Sequence, residues 1–129
     1  MSTKANSNFN FSIKEVQKLV NINYGVTCTL KKLNGEKDFN YRLITKKGKA
    51  YYLKIYPKNT DLNFIIFQTK LLNHLSKRTG SKTPKNLLSK SGSNYSIFRD
   101  KKGFIRYFRI NSWIEGRLWS KINPIPNNL

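Results

Sequence analysis

Lys54 lies in Tyr51-Tyr52-Leu53-Lys54-Ile55, a run that is otherwise apolar or aromatic. Burying an ammonium without a partner is costly, so a lysine in such a run either meets an anion or sits on an exposed edge. Strand alternation puts Tyr52, Lys54 and Tyr56 on one face and Tyr51, Leu53 and Ile55 on the other. Upstream, Asp38 and Asn40 follow an Asn34-Gly35 turn. Asx side chains favour such bends, and the same side chains can also shape a loop that meets a ligand. Glu36 and Asp38 are not a catalytic carboxylate pair, because nothing around them implies the burial that splits two pKa values. His74, the only histidine, has Lys70 and Arg78 one turn away on either side, so it has no partner there for metal binding or acid–base work. Cys28, the only cysteine, has no nearby histidine to activate it and reads as a small core residue.

These groups need elements to position them. Ser12-Ile13-Lys14-Glu15 has capping-box form and opens a short helix with Ile13, Val16, Leu19 and Val20 on one face, ended by Tyr24-Gly25. From Val26 to Leu33 the run is rich in β-branched residues and reads as a strand. Asn34-Gly35 turns the chain, residues 40–45 make a second strand, and Lys46-Lys47-Gly48-Lys49 turns it again. Residues 50–56 make the third strand, stopped by Pro57. A helix is expected over residues 61–78, capped by Thr60, with Leu62, Ile65, Ile66, Leu72 and Leu75 on its buried face and Thr79-Gly80 closing it. Residues 81–93 are Lys/Ser/Pro-rich and read as a connector. Residues 95–99 and 104–114 then pair as a hairpin around Lys101-Lys102-Gly103. The expected fold class is α+β, a five-stranded antiparallel sheet with one packed helix plus an N-terminal helix.

The chain's 129 residues suffice for one modest domain. A single cysteine excludes an internal disulfide and a cysteine-built zinc site, and fits a reducing compartment. The first eleven residues lack the apolar core of a signal peptide, and no run approaches the roughly 20 apolar residues of a membrane span. The expected setting is cytoplasmic, with no membrane partner. The net charge of +19 invites a polyanion. Yet lysine supplies 19 of the 25 basic residues, alongside abundant Asn, Ile, Phe and Tyr, all amino acids with A/T-rich codons. The charge is also scattered rather than collected on one element. It is read as solvated faces that bind polyanions nonspecifically at low salt.

Strand, turn, strand, turn, strand, helix, with a lysine near the end of the third strand, resembles the N-lobe plan of protein-kinase-like phosphotransferases. Residues Leu33-Asn34-Gly35-Glu36-Lys37-Asp38-Phe39-Asn40-Tyr41, then Lys47-Gly48, then Tyr52-Leu53-Lys54-Ile55, are similar to a pattern of the aminoglycoside phosphotransferase family. That pattern is Glu-x-Asp-x-Asn-(Phe/Tyr), a Gly, then (Phe/Tyr)-Val/Leu-Leu-Lys-Ile. The similarity is greatest to the branch with hydroxylysine kinase and the kinase-like domains fused to pyridoxal-phosphate aminotransferases. Tyr107-Phe108-Arg109-Ile110-Asn111-Ser112-Trp113-Ile114-Glu115-Gly116-Arg117 also looks like that branch's Val-Arg-Leu-Leu-Thr-(Tyr/Trp)-Leu-Pro-Gly-Arg. The three matches keep order and spacing over residues 12–120.

The resemblance implies an ATP-binding lobe of a small-molecule kinase, with residues 1–11 as a flexible leader, 12–114 as the lobe and 115–129 as the interlobe linker. Lys54 would contact the nucleotide phosphates, and Asp38 and Asn40 would shape the roof loop. Ser112, Trp113 and Ile114 would form the linker edge for adenine through their backbone, the Trp113 ring itself reading as core packing rather than as a stack on adenine, and Gly116 would turn the chain towards a second lobe. The cofactors implied are ATP and Mg²⁺, the partners a nucleotide and a small amine-bearing substrate. Two departures stand out. Family helices carry Glu two residues before a Gln; here the Gln is Gln68 and the Glu position holds Ile66. The catalytic Asp, the metal ligands and the substrate pocket belong to the family's second lobe, past the last residue here, so the 129 residues are expected to be a fragment or inactive alone. A small basic nucleic-acid-binding module is the other function class the composition allows.

Overall fold

In a computed structural model of the chain, residues 11–33, 39–79 and 83–113 are described. The first helix, α1 (Ile13–Tyr24), forms because both ends are satisfied. The Ser12 hydroxyl accepts from Glu15 N at 3.1 Å while Ser12 N donates to the Glu15 carboxylate at 2.8 Å. At the other end Gly25 takes a left-handed conformation, φ 71°, and donates to Asn21 O at 2.9 Å. Gly25→Ala is expected to destabilise the fold by about 1 kcal/mol in urea unfolding, chiefly through that φ. The added Cβ would meet only the flexible Lys90 side chain, at 3.2 Å.

Strands β1 (Cys28–Leu33), β2 (Phe39–Thr45) and β3 (Ala50–Ile55) follow as an antiparallel meander, then α2 (Leu62–Thr79), then the hairpin β4 (Ser96–Arg99) and β5 (Ile105–Ser112). The five strands make one sheet in the order β1-β2-β3-β5-β4. This is the expected α+β plan. Tyr56 extends β3 by one main-chain bond, donating to Tyr107 O at 2.9 Å.

Alternation sorts the residues onto two faces. On one, Tyr41, Leu43, Leu53, Ile55, Phe108 and Ile110 pack with Cys28 against Val16 and Val20 of α1, forming the main core. Cys28 sits in that core, and burial pushes its thiol above the ordinary value. The buried residues of α2 are Ile65, Gln68, Thr69 and Leu72, none of them part of this core. Helix α2 belongs to the opposite face, where Gln68 meets Tyr56.

Three expectations need correction. Thr60 does not cap α2, because its hydroxyl is drawn to Pro57 O at 2.6 Å. Asp61 caps it instead, accepting from Asn63 N at 2.9 Å. The predicted helix face also missed Gln68 and Thr69, which are buried where Leu62, Ile66 and Leu75 are only half-buried. The segment read as a connector is more than that. Leu87 N donates to Ile110 O and Ser112 N to Lys85 O, each at 2.9 Å, so residues 85–87 occupy the part of the β5 edge that β4 leaves open. Among the described residues, no helix is long and apolar enough to cross a membrane. The expected leader, residues 1–10, and the expected linker, 115–129, lie outside the described residues.

Candidate functional site

The face opposite α1 carries the polar residues. Strand register places Lys54 beside Asn40 of β2 and Arg109 of β5, and Tyr52 beside Arg42 and Asn111. Cross-strand partners in an antiparallel sheet share a face, so β2, β3 and β5 bring Arg42, Lys54 and Arg109 together. Lys54 is only 7% exposed and Arg109 2%. Two buried cations directly opposite one another repel, and negative charge set against this face relieves that repulsion.

The Tyr56 ring organises the centre. Lys54 Nζ lies 5.1 Å from its centroid and the Arg109 guanidinium 5.9 Å. Its hydroxyl accepts from Arg109 Nε at 2.7 Å and donates to Gln68 Oε1 of α2. Arg109 Nη1 continues the chain to Asn111 Oδ1, and Asn111 Nδ2 donates to Ser112 O at 2.9 Å. This buried relay of Gln68, Tyr56, Arg109 and Asn111 ties α2 to the third and fifth strands beside Lys54.

At the end of β5, the Trp113 ring lies 6.4 Å from Tyr52 and 5.1 Å from the Arg42 guanidinium. Ser112 faces the other way in its bonding: Lys85 N donates to its hydroxyl at 2.8 Å, and its own N–H donates to Lys85 O. Asn40 Oδ1 is buried and accepts no hydrogen bond among the described residues.

Of the residues singled out in the sequence, Lys54 and Asn40 are therefore register neighbours and Trp113 meets Tyr52 of the same face, whereas Ser112 pairs with Tyr51 on the other face and bonds to Lys85. Asp38 and Ile114 lie outside the described residues. Sequence reasoning gave no role to Arg42, Tyr56, Gln68, Arg109 or Asn111. One signal was present: Gln68 is a polar residue between Ile65 and Leu72 on an apolar helical stripe, which calls for a buried partner. His74 is exposed, and no group of three metal-ligating side chains occurs among the described residues.

No protein-family model matches the sequence, and no curated protein matches it. Solved structures do. The amicoumacin kinase hAmiN, in complex with AMP-PNP, Ca²⁺ and Ami, superposes with a TM-score of 0.65 at 20% identity, over 90% of this chain and 34% of that one. The microcompartment-associated aminopropanol kinase gives a TM-score of 0.68 at 14% identity, over 81% of this chain and 32% of that one. The chain spans about a third of the length of these two structures. The chain shares the fold of the matching part of these two kinases, a kinase-like N-lobe of five antiparallel strands with two helices.

Proposed function

We propose that this chain is the nucleotide-binding lobe of a small-molecule kinase, in which Lys54 meets the phosphates of ATP. The carrying observation is the buried Lys54 beside Arg109 on one face of a kinase-like sheet, flanked by Asn40. Such a face suits a polyphosphate, since phosphoryl transfer relies on positioning and charge neutralisation. Asn40, with Asp38, shapes the roof over the phosphates, and the chain from Ser112 through Trp113 and Ile114 gives the adenine edge. Mg²⁺, when bound with the nucleotide, neutralises charge on its phosphates. The strand residues on this face include no carboxylate among those described, so its protein ligands are assigned to a second lobe, with the base and the substrate pocket. The reaction proposed for the whole enzyme is transfer of the ATP γ-phosphate to a hydroxyl of a small amine-bearing compound in the cytoplasm.

The test is titration of the 129-residue chain with ATP, followed by NMR. One lobe presents half a cleft, so the expected affinity is weak, roughly −4 to −5 kcal/mol. Lys54→Met keeps the packing volume and should weaken that affinity about tenfold. Lys102→Ala, on the β4–β5 turn, should leave it unchanged. Equal affinity in wild type and Lys54→Met would sink the reading. Incubated with ATP, Mg²⁺ and amino alcohols, these residues alone should transfer no phosphate; transfer would place the catalytic groups within them. Binding to single-stranded RNA should collapse at about 150 mM salt, where surface charges are screened. Sequence-selective binding that persisted there would favour a nucleic-acid module instead.

A further inference from the structure

On the other side of the sheet a recess lies between α1 and the β4–β5 turn. This half-open recess has a volume of about 390 Å³, within the size range of small-molecule sites. We propose that it binds a small amphipathic carboxylate, an aliphatic or aromatic body ending in one negative charge.

The body is specified by the apolar part of the lining. Leu19 and Ile22 come from one face of α1, and Phe11 and Phe98 complete the patch. Ile22 is 55% exposed, an apolar side chain left in water at the recess that a bound hydrocarbon would cover. The head group is specified by charge. Lys18, Arg99, Lys101 and Lys102 stand around the recess against two carboxylates, Glu15 and Asp100, a net of two positive charges. Both carboxylates are already engaged. Glu15 accepts from Ser12 N and pairs with Lys101 at 3.5 Å, while Asp100 holds Arg106 at 2.9 Å and two amides of its own turn. Charge complementarity therefore selects an anion and disfavours a cation of the same shape. A recess of this volume, with walls from two separate elements, fits a compact molecule better than a peptide. Because α1 covers the face opposite Lys54, the site is separate from the proposed nucleotide face.

The experiment titrates the isotopically labelled 129-residue chain with octanoate and, in parallel, with octylamine, which has the same chain length and the opposite charge. Octanoate is expected to shift signals of Leu19, Ile22 and Lys101 saturably, leaving Tyr52 and Lys54 unmoved. Octylamine is expected to bind at least about tenfold more weakly. Lys18→Glu with Lys102→Glu, both at exposed positions, should abolish the octanoate preference without changing the thermal midpoint. Absence of saturable shifts, or equal binding of the two probes, overturns the proposal. So does binding that appears only after residues 1–10 are deleted, because the chain's own beginning would then be the occupant.

Discussion

Asp100→Ala should cost this lobe about 3 kcal/mol in urea unfolding, a large share of the stability of a domain this size. One Asp100 oxygen lies 2.9 Å from Arg106 Nε, and the two side chains are 5% and 3% exposed. The other accepts from Lys102 N at 3.0 Å and Phe104 N at 2.9 Å, closing the turn between β4 and β5. The Arg106 guanidinium is also held 5.3 Å from the Phe11 ring and 5.8 Å from Phe39. Without the carboxylate, a buried cation loses its counter-charge and two turn amides lose their acceptor, each an uncompensated desolvation. Asp100→Asn keeps an acceptor for the turn and should cost less than Ala. A loss below about 1 kcal/mol for Ala would mean that water replaces the carboxylate at no penalty.

The same pair sets an acid limb. Burial raises the Asp100 pKa, but the bonds from Phe104 N, Arg106 and Lys102 N outweigh it, and the carboxyl ends below its ordinary 3.8. Its folded value is thus lower than its unfolded one. The stabilisation it gives is fully present above pH 3.8 and is lost as pH falls through the depressed folded value. Asp100→Asn should flatten that part of the pH–stability curve, and an unchanged acid limb would assign it to other groups.

The difference between Asp100 and the features visible beforehand is sequence distance and pattern. Alternation over residues 26–56, the Ser12/Glu15 capping box and Gly25 are local signals, and each maps directly onto α1, β1, β2 and β3. Residues 85–87 carry no alternation. They extend because β5 has a bare edge there, a cause that exists only once β5 is placed. Thr60 and Asp61 are adjacent cap-type residues, and the choice between them turned on a carbonyl at Pro57. For the candidate site, strand alternation correctly put Tyr52 and Lys54 on one face. It could not supply register, so the approach of Asn40 and Arg109 to Lys54 was invisible. Gln68 stood as an anomaly on an apolar stripe, but its partner Tyr56 lies twelve residues away across a turn.

That Gln68–Tyr56 contact gives the other large expected effect. Tyr56→Phe removes one oxygen and keeps the ring, so Lys54 and Arg109 retain their aromatic neighbour. Two buried groups are left unmatched: Gln68 Oε1 loses its donor and Arg109 Nε its acceptor. At roughly 1–3 kcal/mol for each orphaned group, partly offset where the neighbours shift, the variant should lose about 2–3 kcal/mol in urea unfolding. Gln68→Leu should also destabilise, because it strands the Tyr56 hydroxyl towards α2 while leaving Arg109 paired. A double-mutant cycle then separates a relay from independent packing. If the hydroxyl joins α2 to the sheet, the double variant should cost less than the two single losses combined, by about 1–2 kcal/mol, since removing both partners leaves fewer buried groups unmatched. Additive losses would show that Gln68 and Tyr56 act separately, and the link from α2 to the strand carrying Lys54 would have to rest on the burial of Ile65 and Leu72. The presence or absence of that coupling decides whether α2 is fixed beside Lys54 by a specific bond or held there by burial alone.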